Sequence, residues 1–312
     1  MTVLIGIMLP SRETAMTGRH DAAAILEYAR AAEHYGFDSV WTGDSVLART
    51  RVEPLSLLGA IAAVTERITL GTAALVGPLR HPLLTAAQAA TVDQLSGGRL
   101  ILGLGSGAPT PESRAEFEAL ATPFGDRARR LDETVALCRR AWTTGGGFSG
   151  SIWQIDDLGG ALPPARPGGP PLWLAGGDTE RVIKRVVDGY DGWLPYLPDA
   201  DAYARAWNRI SERATRPITP AMYATVYIDD SRVRAHDALD RYARAYYRQP
   251  LDVMSSIQAY CGGPAHECAE WLARYVEAGA RHLILRIGAL DPHPRMLAEH
   301  LLPALRQVGI AR

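Results

Sequence analysis

Lysine is nearly missing from this chain of 312 residues: Lys184 is the only one, and arginine supplies the rest of the 33 basic side chains. The bias reads as codon usage rather than chemistry. Cysteine is scarce as well. Cys138, Cys261 and Cys268 make an odd count with no C-x-x-C spacing, which argues against a disulfide framework and against a zinc site. Cys138 sits in a helical pattern, ETVALCRRAW, where a buried free thiol is expected. No segment approaches the ~18 uninterrupted apolar residues a membrane helix needs. The start, MTVLIGIMLP, carries no basic leader and too short an apolar run for a signal peptide, so a cytoplasmic protein is expected. Excess charge is also absent. The net charge of -1 gives no electrostatic case for nucleic acid or an anionic membrane as partner.

Apolar residues, by contrast, make up 47% of the chain, enough for a large core. Short β-rich runs alternate with longer helical patterns from end to end. The runs are Val3 to Met8, Phe37 to Thr42, Arg67 to Val76, Arg99 to Gly105, Leu172 to Gly177, Gly192 to Tyr196, Met222 to Ile228 and Arg281 to Gly288. Asp21 is placed to cap the first helix and Gly36 to close it. Pro54 and Pro82 stand where further helices begin. Between the fourth and fifth runs the rhythm loosens. GGGFSGSIWQIDDL (Gly145 to Leu158) reads as a hairpin or irregular insertion. PPARPGGPP (Pro163 to Pro171) reads as a surface crossing, because proline removes donors and glycine costs entropy. Eight strands, each followed by helix, predict an α/β fold: a (β/α)8 TIM barrel with insertion segments, one domain over residues 1–312. A doubly wound open sheet is the alternative.

The stretch RLILGLGSGAPTP (Arg99 to Pro111) contains G-x-G-x-x-A, one letter from a dinucleotide fingerprint. Such a fingerprint belongs on the first strand–helix turn, with the helix starting at the last glycine. Here it follows the fourth strand, and Pro109 and Pro111 delay any helix. In a barrel, the same small residues let a flat ring approach the strand ends closely.

GFDSVWTGDS, EPLSLLGAIAAVTERITLGTAALV, RHPLLTAAQAATVDQLSGGRLILGLGSG and LWLAGGDTERVIKRVVDGYDGWLPY together resemble the bacterial luciferase-like monooxygenase superfamily. The likeness is close from about Gly36 to Gly107 and from Leu172 to Tyr196, and looser elsewhere. It implies a flavin or deazaflavin cofactor in a barrel. It also implies a non-prolyl cis peptide in LGTAALV, at Ala74–Leu75 or a neighbour, lying under the ring. In AGGDTERV, Gly176, Gly177, Asp178 and Thr179 open a helix and could present N–H groups to a phosphate, with Asp178 a candidate cap. Asp44 stands where many deazaflavin-dependent relatives carry an acid–histidine pair, but Ser45 replaces the histidine. Their glutamate after the fourth strand corresponds to about Ala108, leaving Ser106 as the nearest polar side chain. Asp44 and Ser106 are therefore the catalytic candidates, and Ala74, Leu75, Ser106 and the residues from Gly176 to Thr179 the cofactor-binding ones. Trp41, His20, Trp193, Tyr196 and Arg286 are candidate substrate contacts at strand ends or in the first loop. Arg80 and His81 read as structural. No metal site is expected.

The leading expectation is a monooxygenase that uses reduced FMN and oxygen on a small organic substrate, inside dry, apolar walls. A flavin reductase is then a candidate partner, and a homo-oligomer is compatible with the sequence. The alternative is hydride transfer with coenzyme F-420 on the same fold. A third reading is a flavin-binding barrel without turnover.

Overall fold

A computed structural model describes residues 3–19 and 21–310. The strands are β1 (Leu4–Met8), β2 (Ser39–Thr42), β3 (Thr69–Thr72), β4 (Leu75–Val76), β5 (Leu100–Gly105), β6 (Phe148–Ser149), β7 (Gln154–Ile155), β8 (Leu172–Ala175), β9 (Gly192–Leu194), β10 (Thr219–Ile228), β11 (Ala259–Gly263) and β12 (His282–Ile287). The helices are α1 (Glu13–Met16), α2 (Ala22–His34), α3 (Pro54–Val64), α4 (Pro82–Leu95), α5 (Pro111–Ala119), α6 (Arg127–Thr143), α7 (Glu180–Gly189), α8 (Ala200–Ser211), α9 (Arg232–Tyr247), α10 (Leu251–Ser255), α11 (Ala265–Glu277) and α12 (Leu302–Gln307).

Parallel pairing runs β1-β2-β3-β5-β8-β9-β10-β12 and back to β1, which closes an eight-stranded barrel with helices between its strands. The expected barrel is therefore present. Local signals start the helices as read: Asp21 accepts bonds from the amides of Ala23 and Ala24, and Pro54 and Pro82 open α3 and α4. The insertion is an antiparallel hairpin, β6–β7, whose turn amides at Ser151, Ile152 and Trp153 bond to Glu133 of α6. The proline-rich crossing is held by Asp93, which accepts from the Arg166 amide at 2.8 Å.

Three details differ from the expectation. The strand read over residues 67–76 is two short strands, β3 and β4, and both pair with β5. The non-prolyl cis peptide lies between them at Ala73–Ala74, one residue earlier than the first choice. The strand β11 was not foreseen. It pairs with the C-terminal half of β10, while β9 pairs only with the N-terminal end of β10 at Thr219 and Pro220.

The barrel interior is filled by Met8, Trp41, Trp173, Leu194, Ala221 and Ile284. The indoles of Trp41 and Trp173 lie 5.3 Å apart, and each meets the ring of His282 edge-on at 5.4 Å. Gly71 makes room for this: a Cβ there would stand 2.2 Å from the Trp41 ring. A polar thread crosses the same layer. Trp41 Nε1 donates to Ser39 Oγ at 2.7 Å, and Ser39 Oγ lies 2.7 Å from His282 Nε2. With its Trp41 bond accepted, the Ser39 hydroxyl is free to donate to a neutral imidazole. In GLGSG, Gly103 serves close strand approach, since a Cβ there would meet the Thr72 carbonyl oxygen at 2.0 Å. Among the described residues no helix is long and apolar enough to cross a membrane.

Candidate active site

The C-terminal ends of the strands surround a cavity of about 250 Å³. Gly43 and Asp44 enter it after β2, Ala73 and Ala74 between β3 and β4, Ala108 after β5, and Ala175 at the end of β8. Leu194, Pro195 and Tyr196 come from β9 and the turn beyond it. Tyr223 comes from β10, Tyr246 and Tyr247 from the end of α9, and Arg286 from β12. Arg49 and Arg51 reach in from the loop after β2. Hollows of about 310 and 360 Å³ on the helical flank exceed it, and so do two of about 440 and 470 Å³, the first between the segments that follow β1 and β12 and the second on the flank. The largest lies among charges that already pair with one another, Arg185 with Asp132 and Arg139 with Asp191. The mouth cavity gathers residues from or just after β2, β3, β5, β8, β9, β10 and β12, and strand ends are where barrel chemistry resides.

Asp44 is 1% exposed at its side chain. It accepts from the Val76 amide at 2.8 Å and from both Arg80 nitrogens, at 2.5 and 3.1 Å. Arg80 also reaches Glu53 at 3.1 Å. Burial by itself lowers the Arg80 pKa, and the bonds to Asp44 with the charge of Glu53 outweigh it, so the guanidinium is held more firmly charged than usual. Asp44, a catalytic candidate from the sequence, thus has both oxygens bonded, one to the Val76 amide of β4 and both to Arg80. His81 accepts from the Leu83 amide and caps α4, in line with its structural reading.

Ser45 is likewise occupied. Its hydroxyl donates to Glu116 Oε1 at 3.0 Å and accepts from the Arg49 amide at 2.8 Å. The same Glu116 oxygen receives the amides of Val46, Leu47 (2.7 Å) and Ala48 (3.4 Å). This carboxylate from α5, 4% exposed, therefore shapes the loop that carries Arg49 and Arg51 into the cavity. Sequence reading missed it. The only signal was an acid at a helical position otherwise meant for apolar residues.

Arg286 is 5% exposed. Nη1 donates to Tyr242 Oη at 3.2 Å and lies 3.8 Å from Glu13 Oε1, while buried Nε has no acceptor. Burial by itself lowers its pKa, and the surrounding tyrosines outweigh it and raise it. Tyr196, 40% exposed, lines the rim, and burial together with the charge of Asp178 raises its phenol.

The other expected contacts fall elsewhere. Trp41, 0% exposed, belongs to the barrel interior and offers no surface to a substrate. Trp193, also 0% exposed, points to the helical layer and stacks on Tyr203 at 5.0 Å, because alternation along β9 turns Leu194 inward instead. Its Nε1 donates to the Gly177 carbonyl at 3.2 Å, so it steadies the loop after β8. Leu75 is fully buried and does not line the cavity, whereas Ala73 and Ala74 do. Ser106 is half-buried just beyond β5 and is not among the cavity-lining residues, whereas Ala108 is. In the loop after β8, Thr179 caps α7 by accepting from the Val182 amide, and Asp178 does not cap it. Gly176 and Gly177 are half-buried, and a Cβ on Gly177 would meet nothing within 4 Å. His20 lies outside the described residues.

The mouth of the closed barrel thus brings arginines and tyrosines together with a strand of small residues. The chain belongs to the luciferase-like monooxygenase family, whose model matches residues 3–282, and it is an oxidoreductase of that family. It is similar to an F420-dependent glucose-6-phosphate dehydrogenase of Nakamurella multipartita, 30% identical over 90% of this chain and 92% of that protein. It is also similar to the oxygenase component of a flavin-dependent trigonelline monooxygenase of Acinetobacter baylyi, 28% identical over 53% of this chain and 46% of that protein. A solved F420-dependent secondary alcohol dehydrogenase in complex with an F420-acetone adduct shares the fold, with a TM-score of 0.82 and 20% identity over 98% of this chain and 100% of that one.

Proposed function

We propose that the protein passes a hydride between coenzyme F-420 and a small carbinol or carbonyl compound that bears an anionic group. The observation that carries this reading is the composition of the cavity wall. Facing Ala73 and Ala74 stand Arg49, Arg51, Arg286 and four tyrosines. The wall is not the dry apolar one anticipated for an oxygenating flavin. It offers donors that hold a polar substrate in place while a hydride moves. The relatives matched over nine-tenths of the chain, which are named as F420-dependent dehydrogenases, lend support.

The residues fit a planar cofactor. Ala73, Ala74 and Ala175 keep one side of the cavity clear of bulk, and the space beside Gly177 is open. The backbone of Ala73 and Ala74 would lie against the ring system, and the N–H groups of the Gly176–Thr179 loop would take a phosphate. When bound, F-420 supplies a ring carbon that accepts or returns hydride. Arg49 and Arg51 are placed to hold the anionic group of the substrate, and Tyr196 and Tyr247 to cover its carbon skeleton. Asp44 and Arg80 fix the wall rather than react.

A second reading, the reduced-FMN monooxygenase, has one observation in its favour. Ser45 and Asp44 are occupied and Ala108 carries no acid, so the proton donors of deazaflavin relatives are missing from their usual places. A flavin reductase would then be its partner. Equilibrium titration with F-420 and with FMN, followed by turnover without oxygen, separates the two. We expect tighter binding of F-420 and loss of its visible absorbance on adding an anionic probe carbinol such as glucose-6-phosphate or lactate, and a much weaker response to neutral isopropanol. Isotopic oxygen from the gas phase appearing in a product, with reduced FMN only, would replace this reading by the second.

A further inference from the structure

We propose that Tyr246 carries the proton of the reaction: its phenol oxygen takes the hydroxyl proton of a carbinol substrate, or returns a proton to a carbonyl, at the barrel mouth. The role rests on the hydride-transfer reading above. It answers a deficit on the cavity wall, where the carboxylate of Asp44 is engaged and Ala108 has nothing to offer, while Ser45 next to Asp44 bonds to Glu116.

The geometry singles out one phenol. Tyr246 lines the cavity although it is only 2% exposed. Two guanidiniums approach its ring, with Arg12 Cζ 4.3 Å and Arg286 Cζ 4.4 Å from the ring centroid. A third guanidinium, Arg51, donates from Nη2 to the phenol oxygen at 3.3 Å. Arg12 and Arg51 have no carboxylate partner among the described residues, and Arg12 Nη1 is buried without an acceptor. The acid that faces the cluster is Glu13 of α1. It is taken up by the neighbouring Tyr242 hydroxyl, which donates to Oε1 at 2.6 Å, and it lies 3.8 Å from Arg286. Tyr242 stacks on Tyr246 at 5.2 Å, and the ring of Tyr247 lies 4.7 Å away with Arg49 over it.

Both phenols accept a hydrogen bond from a guanidinium, but Tyr242 donates its own to the Glu13 carboxylate, whereas no carboxylate faces the Tyr246 hydroxyl among the bonds of the described residues. Two guanidiniums close to the ring and a third at the oxygen favour the phenolate. Burial by itself raises the Tyr246 phenol, but the charges of Arg286 and Arg51 outweigh it and bring it below the ordinary tyrosine value. Tyr242, Tyr223 and Tyr260 nearby are all pushed up, burial being the main cause.

In the oxidising direction the carbinol C–H bond breaks and its electron pair leaves with the hydrogen for oxidised F-420. The O–H proton passes to the Tyr246 phenolate, and the carbon–oxygen bond becomes a carbonyl. The phenol then returns its proton to solvent. Reduction runs the same transfers backwards.

Ultraviolet difference titration of tyrosinate in the cofactor-free protein is the first test. The wild type should show one tyrosine ionising below the ordinary range. Tyr246→Phe should lose that component, and Arg51→Gln should move it to higher pH. With F-420 and the probe carbinols, Tyr246→Phe should lower kcat at least about 100-fold, leave the F-420 Kd unchanged, and abolish the matching limb of the pH–rate profile. A low component that persists in Tyr246→Phe, or turnover and a pH profile that do not change in the folded variant, overturns the role. If the wild type turns over no probe carbinol with F-420, the hydride-transfer reading is what fails, and the titration, which needs no cofactor, still judges Tyr246.

Discussion

His282 shows how a single residue can set behaviour that no motif announces. Its ring is 2% exposed in the barrel interior, between two indoles and next to Ser39. Burial holds its pKa down to about 3, from an ordinary 6.5. The folded protein therefore keeps it neutral while the unfolded chain protonates it below the ordinary value. Its contribution to stability is complete above the ordinary value and is lost as pH falls toward about 3. Urea unfolding at pH 7 and pH 5 should differ by about 2 kcal/mol from this group, and His282→Gln should flatten that slope. An equal slope in the variant would show that other groups carry the dependence. Glu116 is the second such residue. Glu116→Ala leaves the amides of Val46, Leu47 and Ala48 without their acceptor. We expect a loss of about 2–3 kcal/mol in stability and faster amide exchange confined to that loop. Unchanged exchange there would mean that the loop is held by something else.

At the scale of elements, the turn from β8 into α7 is the part most directly tied to a cofactor. Thr179 caps α7 through one lone pair and keeps its hydroxyl proton free for an anion. Trp193 holds the Gly177 carbonyl from behind. Because a Cβ at Gly177 meets no atom, Gly177→Val should fold with an unchanged Tm. It should still raise the Kd for F-420 at least about tenfold, or ~1.4 kcal/mol, by filling the space a phosphate would use. Fluorescence titration reads this directly, and an unchanged Kd would move the phosphate to another loop. The helix α9 is the complementary element. Its four-residue spacing sets Tyr242 beside Tyr246, and its position after β10 brings both against Arg286 of β12. In the SGGR motif, Arg99 works at the opposite end of the barrel. It donates to the carbonyls of Ala62, Thr65 and Ile68 and so ties the end of α3 to the start of β3.

For the whole molecule, closure of the barrel depends on filling its interior with two indoles and an imidazole. Gly71→Ala would drive a Cβ into Trp41, and we expect a loss of roughly 1–3 kcal/mol in equilibrium unfolding, with the barrel retained. A neutral result would mean that the Trp41 ring can shift. Much of this architecture was legible in the chain. Strand–helix alternation, the Asp21 cap and the prolines at Pro54 and Pro82 act locally, so adjacent residues suffice to place them. The strand β11 escaped notice because AYCGG has no alternating pattern of its own and exists through pairing with β10. The inward turn of Trp41 and the outward turn of Trp193 were equally hidden, since a shift of one residue along a short strand exchanges its faces. The sequence by itself determined the order and kind of the elements and the small residues at the strand ends, because these follow from backbone preferences within a few residues. Only the tertiary structure decided which side chains meet. Arg51 bonds to Tyr246 across 195 residues, and Ser45 to Glu116 across 71. Contacts that distant come from closure of the barrel, which brings the ends of all eight strands around one mouth.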